Sequence, residues 1–467
     1  MNRNNFLPHV ALALVLILVA AFAGQVRNWK RHGHHRTREL AVPLDNSAPR
    51  PVEESKTENA EVFVRFRAGV SEEKIQSITR RFHDMIEDQT EAVPGLELIE
   101  DEDGKNADTL VAEYGALPEV EYVEKIYHIQ LEGDEKSEPV LPNDPRFTEQ
   151  WALANDGQDG GTRGADISAV GAWATTTGNS KVVVAVLDSG VDYTHPDLEN
   201  NIWKRPENIK EYEDKNLGTI DDIHGYNALD NDGNPMDQNG HGTHCAGIIG
   251  AEGGNNEGIT GVNWTVQIMP LRFMDASGSG TTKDAIEAIN YVIDRRKAGV
   301  NVRIISASWG STQKSRALED VIKKAYEAGI LFVAASGNAS VDNDRNPHYP
   351  SSYNVGNVIS VAALDRNDQL TSFSNFGAKS VHIGAPGKDI LSTWLDHEFR
   401  KASGTSMATP VVAGVAALVL ANDPKMSVDE LRQRLLDSVD KLPGLKGKTA
   451  TGGRINAAKA VGGQWKL

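Results

Sequence analysis

Val182-Val183-Val184-Ala185-Val186-Leu187-Asp188-Ser189-Gly190 is a wholly apolar run that ends in an acid and a glycine turn. A strand wetted on one face alternates apolar and polar residues. A run with no polar member is covered on both faces, as in the parallel sheet of an α/β domain. Asp188 then stands at the strand's carboxyl end, the edge where open α/β sheets build their sites. The downstream pattern agrees: strands are expected at 266–271, 302–307, 330–335 and 358–363. They alternate with helices at 282–296, where Ile286, Ile289 and Ile293 share a face, and at 317–328. Such alternation means a parallel sheet with helices on both sides. A last helix opens with a capping box, Ser427-Val428-Asp429-Glu430.

Two further stretches carry chemistry. Asn239-Gly240-His241-Gly242-Thr243-His244-Cys245-Ala246-Gly247 turns on glycines into a small-residue helix, and Gly404-Thr405-Ser406-Met407-Ala408-Thr409-Pro410 feeds the apolar run 411–420. At a helix start, Ser406 meets free backbone N–H groups and the positive end of the dipole, which favour developing negative charge. A serine hydroxyl is inert at neutral pH until a base removes its proton. His241 is the candidate base, and Asp188 the carboxylate that orients it.

With these blocks in the order Asp, His, Ser, the chain resembles the subtilisin-like serine proteases over roughly residues 140 to 460. The resemblance implies a three-layer α/β fold with a mostly parallel sheet. It implies Asn338, in Ala334-Ala335-Ser336-Gly337-Asn338, as an oxyanion donor beside the Ser406 N–H. Ser308-Trp309-Gly310 corresponds to the segment that pairs with extended substrate and lines the primary pocket. The family usually has Ala where Ser336 stands, which suggests a more polar wall. Thermitase-like and proteinase K-like relatives have a cysteine at the position of Cys245, beside the active site and not the nucleophile; it reads as a packing thiol. His244 corresponds to a structural residue.

The resemblance also implies structural Ca²⁺. Asn227, Asp230 and Asp232 look like the calcium loop of the thermitase-like branch, and Asp144, Asp197 and Asn255 match a second family site. Closely set acids on glycine turns suit a hard cation.

Composition bounds the partners. The 467 residues include 48 basic and 65 acidic side chains, a net charge of -17, which argues against nucleic acid or an anionic membrane as the main partner. Cys245 is the only cysteine, so neither an intrachain disulfide nor a cysteine-based zinc cluster is open to the chain.

The N-terminal third divides by pattern. Residues 1–24 contain the apolar run 10–23, which ends in Ala21-Phe22-Ala23. They read as a signal peptide, or as a membrane anchor over residues 6–26, since Arg27, Lys30 and Arg31 follow the run. Residues 25–60, with Pro43, Pro49 and Pro51, read as a flexible linker in which His32, His34 and His35 are solvated. Residues 61–130 show a β-α-β-α-β pattern similar to the small α+β inhibitor-type propeptides of the family. Residues 131–142, acidic and Pro-containing, read as an exposed processing linker, and 143–467 as the peptidase domain. The expectation is a secreted, self-processing, monomeric serine endopeptidase of broad, apolar-leaning preference, acting on polypeptides and inhibited by its own propeptide. The alternative is a catalytically inactive scaffold of the same fold. A proprotein convertase is disfavoured, because only about fifty residues follow the Ser406 helix.

Overall fold

The computed structural model describes residues 60–89, 93–126 and 140–462. The chain falls into two compact units that part between Glu132 and Gly133. The expected signal or anchor segment, the linker before Ala60 and residues 131–139 lie outside the described residues.

The first unit runs β1 (Glu61–Phe66), α1 (Glu72–Phe82), β2 (Asp84–Gln89), β3 (Leu96–Asp101), α2 (Ala107–Gly115) and β4 (Val120–Lys125). The strands form an antiparallel sheet in the order β2-β3-β1-β4. Ser71 and Asn106 start the two helices by accepting the N–H groups of Lys74 and Thr109. Val62, Val64 and Phe66 turn inward at the strand period and meet Ile75 and Ile78 of α1 and Leu110 and Tyr114 of α2. Strand β2 was not expected: four residues of Asp-Met-Ile-Glu-Asp-Gln are polar because it is an edge strand with little of its surface covered.

In the second unit, α3 (Ala169–Trp173) leads into β5 (Gly178–Asp188), the hairpin β6 (Tyr212–Asp214) and β7 (Gly218–Ile220), β8 (Tyr226–Asn227), α4 (His241–Gly250) and β9 (Thr265–Arg272). The α/β alternation continues through α5 (Thr282–Lys297), β10 (Val302–Ala307), α6 (Arg316–Glu327), β11 (Leu331–Ala335) and β12 (Val358–Leu364). Then come β13 (Ile383–Pro386), the hairpin β14 (Ile390–Thr393) and β15 (Phe399–Ala402), α7 (Thr405–Asn422), α8 (Val428–Asp437), β16 (Val439–Lys441), β17 (Gly453–Ile455) and α9 (Ala457–Ala460).

Nine strands make one sheet in the order β16-β17-β13-β12-β11-β10-β5-β9-β8. All its neighbours pair in parallel except β16, which runs antiparallel to β17 at the edge. The apolar run of β5 is explained by its two faces. Val182, Val184 and Val186 pack with α4 and α7, whereas Val183, Ala185 and Leu187 pack with α5 and α6. Helix α7, buried continuously from Met407 to Leu420, is apolar all round because it is surrounded. It is long and apolar enough to cross a membrane, but here it is the core helix. Beyond the sheet edge, buried Asp222 accepts hydrogen bonds from Tyr291 (2.7 Å) and Arg295 (3.2 Å) of α5 and lies 2.9 Å from Arg205 Nε, which ties the β6–β7 excursion to α5.

Candidate active site

Strand β5 delivers Asp188 to its carboxyl end, where Oδ1 lies 2.7 Å from His241 Nδ1 and also accepts the Ser189 N–H at 2.8 Å. The carboxylate side chain is 1% exposed and the imidazole 31%, so the pair opens to solvent only on the histidine side. Their approach depends on Gly242: a Cβ there would overlap the Gly190 carbonyl oxygen and come within 3.1 Å of Asp188 Cβ. Burial opposes a charged imidazole, yet the Asp188 carboxylate outweighs it and raises the His241 pKa well above its ordinary value.

Asp237, which sequence reasoning missed, fixes the turn before His241. Its carboxylate accepts the N–H groups of Asn239, Gly240 and Thr243 and the Thr243 hydroxyl, all within 3.0 Å. The available signal was an acid placed just before a glycine-led helix start, a capping pattern.

Ser406 is the second residue of α7. Four residues on, Pro410 has no N–H to donate, so the Ser406 carbonyl lacks its intrahelical partner. Ser308 Oγ takes that carbonyl at 2.8 Å, and Cys245 Sγ approaches it at 3.5 Å. The Ser406 hydroxyl donates back to the Ser308 carbonyl at 3.0 Å, so the two serines hold each other through their backbones. Cys245 Sγ lies 4.0 Å from His241 Nδ1, so one thiol touches both the histidine and the serine backbone. Burial raises the thiol's pKa, which keeps it neutral. Asp188, His241 and Cys245 present ligand-type atoms within 4.8 Å of one another, but the acid and the histidine are engaged with each other.

Asn338 Oδ1 accepts both the N–H and the hydroxyl of Thr405, each at 2.9 Å, which fixes its side chain at the start of α7. The position of a Cβ on Gly404 lies 3.4 Å from Asn338 Nδ2 and 3.5 Å from the Ser406 nitrogen. Both nitrogens thus lie within 3.5 Å of one point beside the serine.

Ser308 is buried, and the Trp309 ring lies tilted against Phe273, centroids 4.8 Å apart, and packs on the α5–α6 side of the core. Gly310 is exposed. The expected polar wall at Ser336 is not formed: that residue is fully buried and its hydroxyl donates to the Asn375 carbonyl. His244 Nε2 lies 3.1 and 3.0 Å from the Ile390 and Arg400 carbonyls, and burial pushes its pKa down to about 4.

Asp144, Asp197 and Asn255 come together. Asp197 is fully buried; it accepts the Asn255 amide at 2.9 Å and the Ile259 N–H at 2.9 Å. Burial first, then the nearby Asp144 charge among the opposing groups, pushes its pKa up to about 7. Asp144 accepts the Gly254 N–H through Oδ2, while its buried Oδ1 has no hydrogen-bond partner among the described residues. The other acidic loop differs. The Asn227 amide donates to both Asp230 and Asp232 at 3.0 Å, and Arg272 stands 3.7 Å from Asp230, so these groups partner one another.

The sequence profile of the subtilase family matches residues 179–456, more than half of the chain. The chain belongs to the subtilase family. Among its relatives, thermitase of Thermoactinomyces vulgaris is 36% identical over 320 residues, covering 68% of this chain and 99% of thermitase. A thermophilic serine proteinase of Bacillus sp. (strain AK1) is 40% identical over 290 residues, 62% of this chain and 64% of that protein. Subtilisin-like protease 1 of Plasmodium falciparum (isolate 3D7) is 36% identical over 299 residues, 60% of this subtilase and 43% of that protein. This subtilase thus spans less than two thirds of the length of the last two. A solved protease of Pseudoalteromonas arctica PAMC 21717 superposes with a TM-score of 0.56 at 28% identity, over 69% of this chain and 99% of that one.

Proposed function

We propose that this subtilase is a serine endopeptidase that cleaves polypeptides through an acyl-enzyme. The observation that carries the reading is the 2.7 Å Asp188–His241 hydrogen bond, linked through Cys245 to a serine at a helix start. Ser406 Oγ attacks the peptide carbonyl while His241 Nε2 accepts its proton, and His241 then protonates the leaving amine. Asp188 holds the Nδ1–H tautomer and stabilises the imidazolium. Asn338 Nδ2 and the Ser406 N–H receive the tetrahedral oxyanion, and Ser308 to Gly310 pair with extended substrate. Casein turnover by the purified protein tests this; comparable turnover by Ser406→Ala would remove the assignment.

The residues at Asp144, Asp197 and Asn255 suit Ca²⁺. An orphaned buried carboxylate oxygen beside a second buried acid is a charge arrangement that a divalent cation resolves, and the bound ion would tie residue 144 to the loop after α4. The Asn227, Asp230 and Asp232 loop meets its own polar demand and does not strengthen that reading.

The reading extends to export directed by residues 1–24, to cleavage within 131–142, and to inhibition by the small α+β unit at 61–130. Its support is the apolar run 10–23, the separate compact unit, and the position of both ahead of the peptidase domain. N-terminal sequencing of the secreted product tests the three together.

A further inference from the structure

The edge of the sheet opposite Asp188 and Ser308 carries two guanidinium groups with no counter-charge. Arg303, the second residue of β10, is 7% exposed and donates to three backbone carbonyls. They are Gly329 (3.3 Å) at the turn into β11, and Pro424 (3.3 Å) and Met426 (2.5 Å) in the α7–α8 turn. Arg296, in the last turn of α5, reaches the Ala328 carbonyl (3.4 Å) and Asn301 Oδ1 (3.3 Å). The two side chains thus converge on the consecutive residues Ala328 and Gly329.

A charge taken out of water is costly unless an opposite charge meets it. Among the described residues, no carboxylate acts on either arginine. Burial lowers the pKa of both, and the Arg296 charge lowers that of Arg303 further, so positive potential accumulates here in a chain of net charge -17. A guanidinium has more N–H donors than these bonds use.

A cavity of about 490 Å³ opens on the pair, and its wall includes Arg296, Arg303 and Lys425. The acids on that wall are engaged: Glu327 accepts from Lys324 at 2.7 Å, and Asp429 accepts the Tyr326 hydroxyl at 2.6 Å. The start of α8 is closed by its own capping box, so the donors the cavity offers are the basic side chains.

We propose that this cavity binds a divalent tetrahedral oxyanion of the sulfate or phosphate type, held by Arg296 and Arg303 with Lys425 at the rim. The planar fork of arginine matches such an oxyanion with parallel N–H bonds, and a dianion balances the two guanidinium charges. The strand β10 separates Arg303 from Ser308 by roughly 16 Å, so the site is distinct from the catalytic centre. An occupant joins the end of α5, the α6–β11 turn and the α7–α8 turn, and so stabilises the native domain by mass action.

The test is equilibrium dialysis of radiolabelled sulfate against full-length Ser406→Ala protein, which cannot digest itself, at constant ionic strength. Binding is read directly because sulfate also strengthens apolar burial without any site. The Ser406→Ala protein should show one saturable site per chain. Adding Arg303→Gln or Arg296→Gln should weaken it at least about tenfold, the size of a lost charge-assisted hydrogen bond. Arg303 also ties three carbonyls, whereas Arg296→Gln leaves those bonds in place, so the test does not depend on the Arg303 variant folding. Glycerol phosphate added as competitor separates the two sources of such a group: displacement at lower concentration than unlabelled sulfate assigns the site to esterified phosphate, and weaker displacement assigns it to the free dianion. Folded protein with no saturable binding, or equal affinity in folded Arg296→Gln, overturns the inference and leaves the endopeptidase reading untouched.

Discussion

Chelating calcium should destabilise the peptidase domain by an amount that grows with pH, because Asp197 is buried beside Asp144. Its pKa stands at about 7 in the native state, against 3.8 for the free carboxyl. The metal-free native state therefore holds a proton that the unfolded chain releases. Stability from this group is fully present below pH 3.8 and is lost as pH rises through 7. A difference of about three units amounts to roughly 4 kcal/mol by pH 7.5, an order-of-magnitude figure for a buried group. A bound Ca²⁺ offsets that loss by neutralising the carboxylates it meets. In a domain of this size the calcium-dependent rise in thermal midpoint should be on the order of ten degrees at pH 7.5 and far smaller at pH 5. The assay is a melting curve of Ser406→Ala protein, which cannot digest itself, with calcium or chelator at both pH values. Asp197→Asn should remove most of the pH dependence. A calcium shift equal at both pH values, or absent at both, would refute the reasoning.

Other expectations follow from the same geometry. The acid limb of kcat/KM should have its midpoint above 6.5, since His241 must lose its proton to act as base and Asp188 raises its pKa; a midpoint at or below 6.5 contradicts the assignment. Asn338→Ala should cost about 10² to 10³ in kcat with little change in melting temperature. Gly404→Ala should fold, because its methyl group meets Asn338 and Ser406 at ordinary contact distance, yet lose activity comparably, because that methyl occupies the space beside both nitrogens where the proposed oxyanion would sit. The Ser406→Ala chain should accumulate uncut, and the separately added 61–129 segment should inhibit processed enzyme; a cut Ser406→Ala chain would point to another protease.

Much of this was legible in the sequence for a physical reason. β5 and α7 are buried on every side, so their residues advertise the sheet and its core helix without reference to any neighbour. The capping box at Ser427 forms as written, because it is made within one turn. What was missed depends on partners far along the chain. β2 is a polar edge strand defined by pairing with β3, and the short strands β16 and β17 gain their identity from each other and from β13. Pro410 was visible as a letter, but the consequence for the Ser406 carbonyl appears only once Ser308 is seen to take it.

Fluorophosphonate labelling, mapped by peptide mass spectrometry, tests the central claim most directly. Wild-type protein should carry one adduct on the peptide containing Ser406, and His241→Ala and Asp188→Ala should slow its formation by orders of magnitude while keeping the wild-type melting temperature. A folded wild type with no adduct at Ser406, or one labelled at an equal rate without His241, would contradict the account.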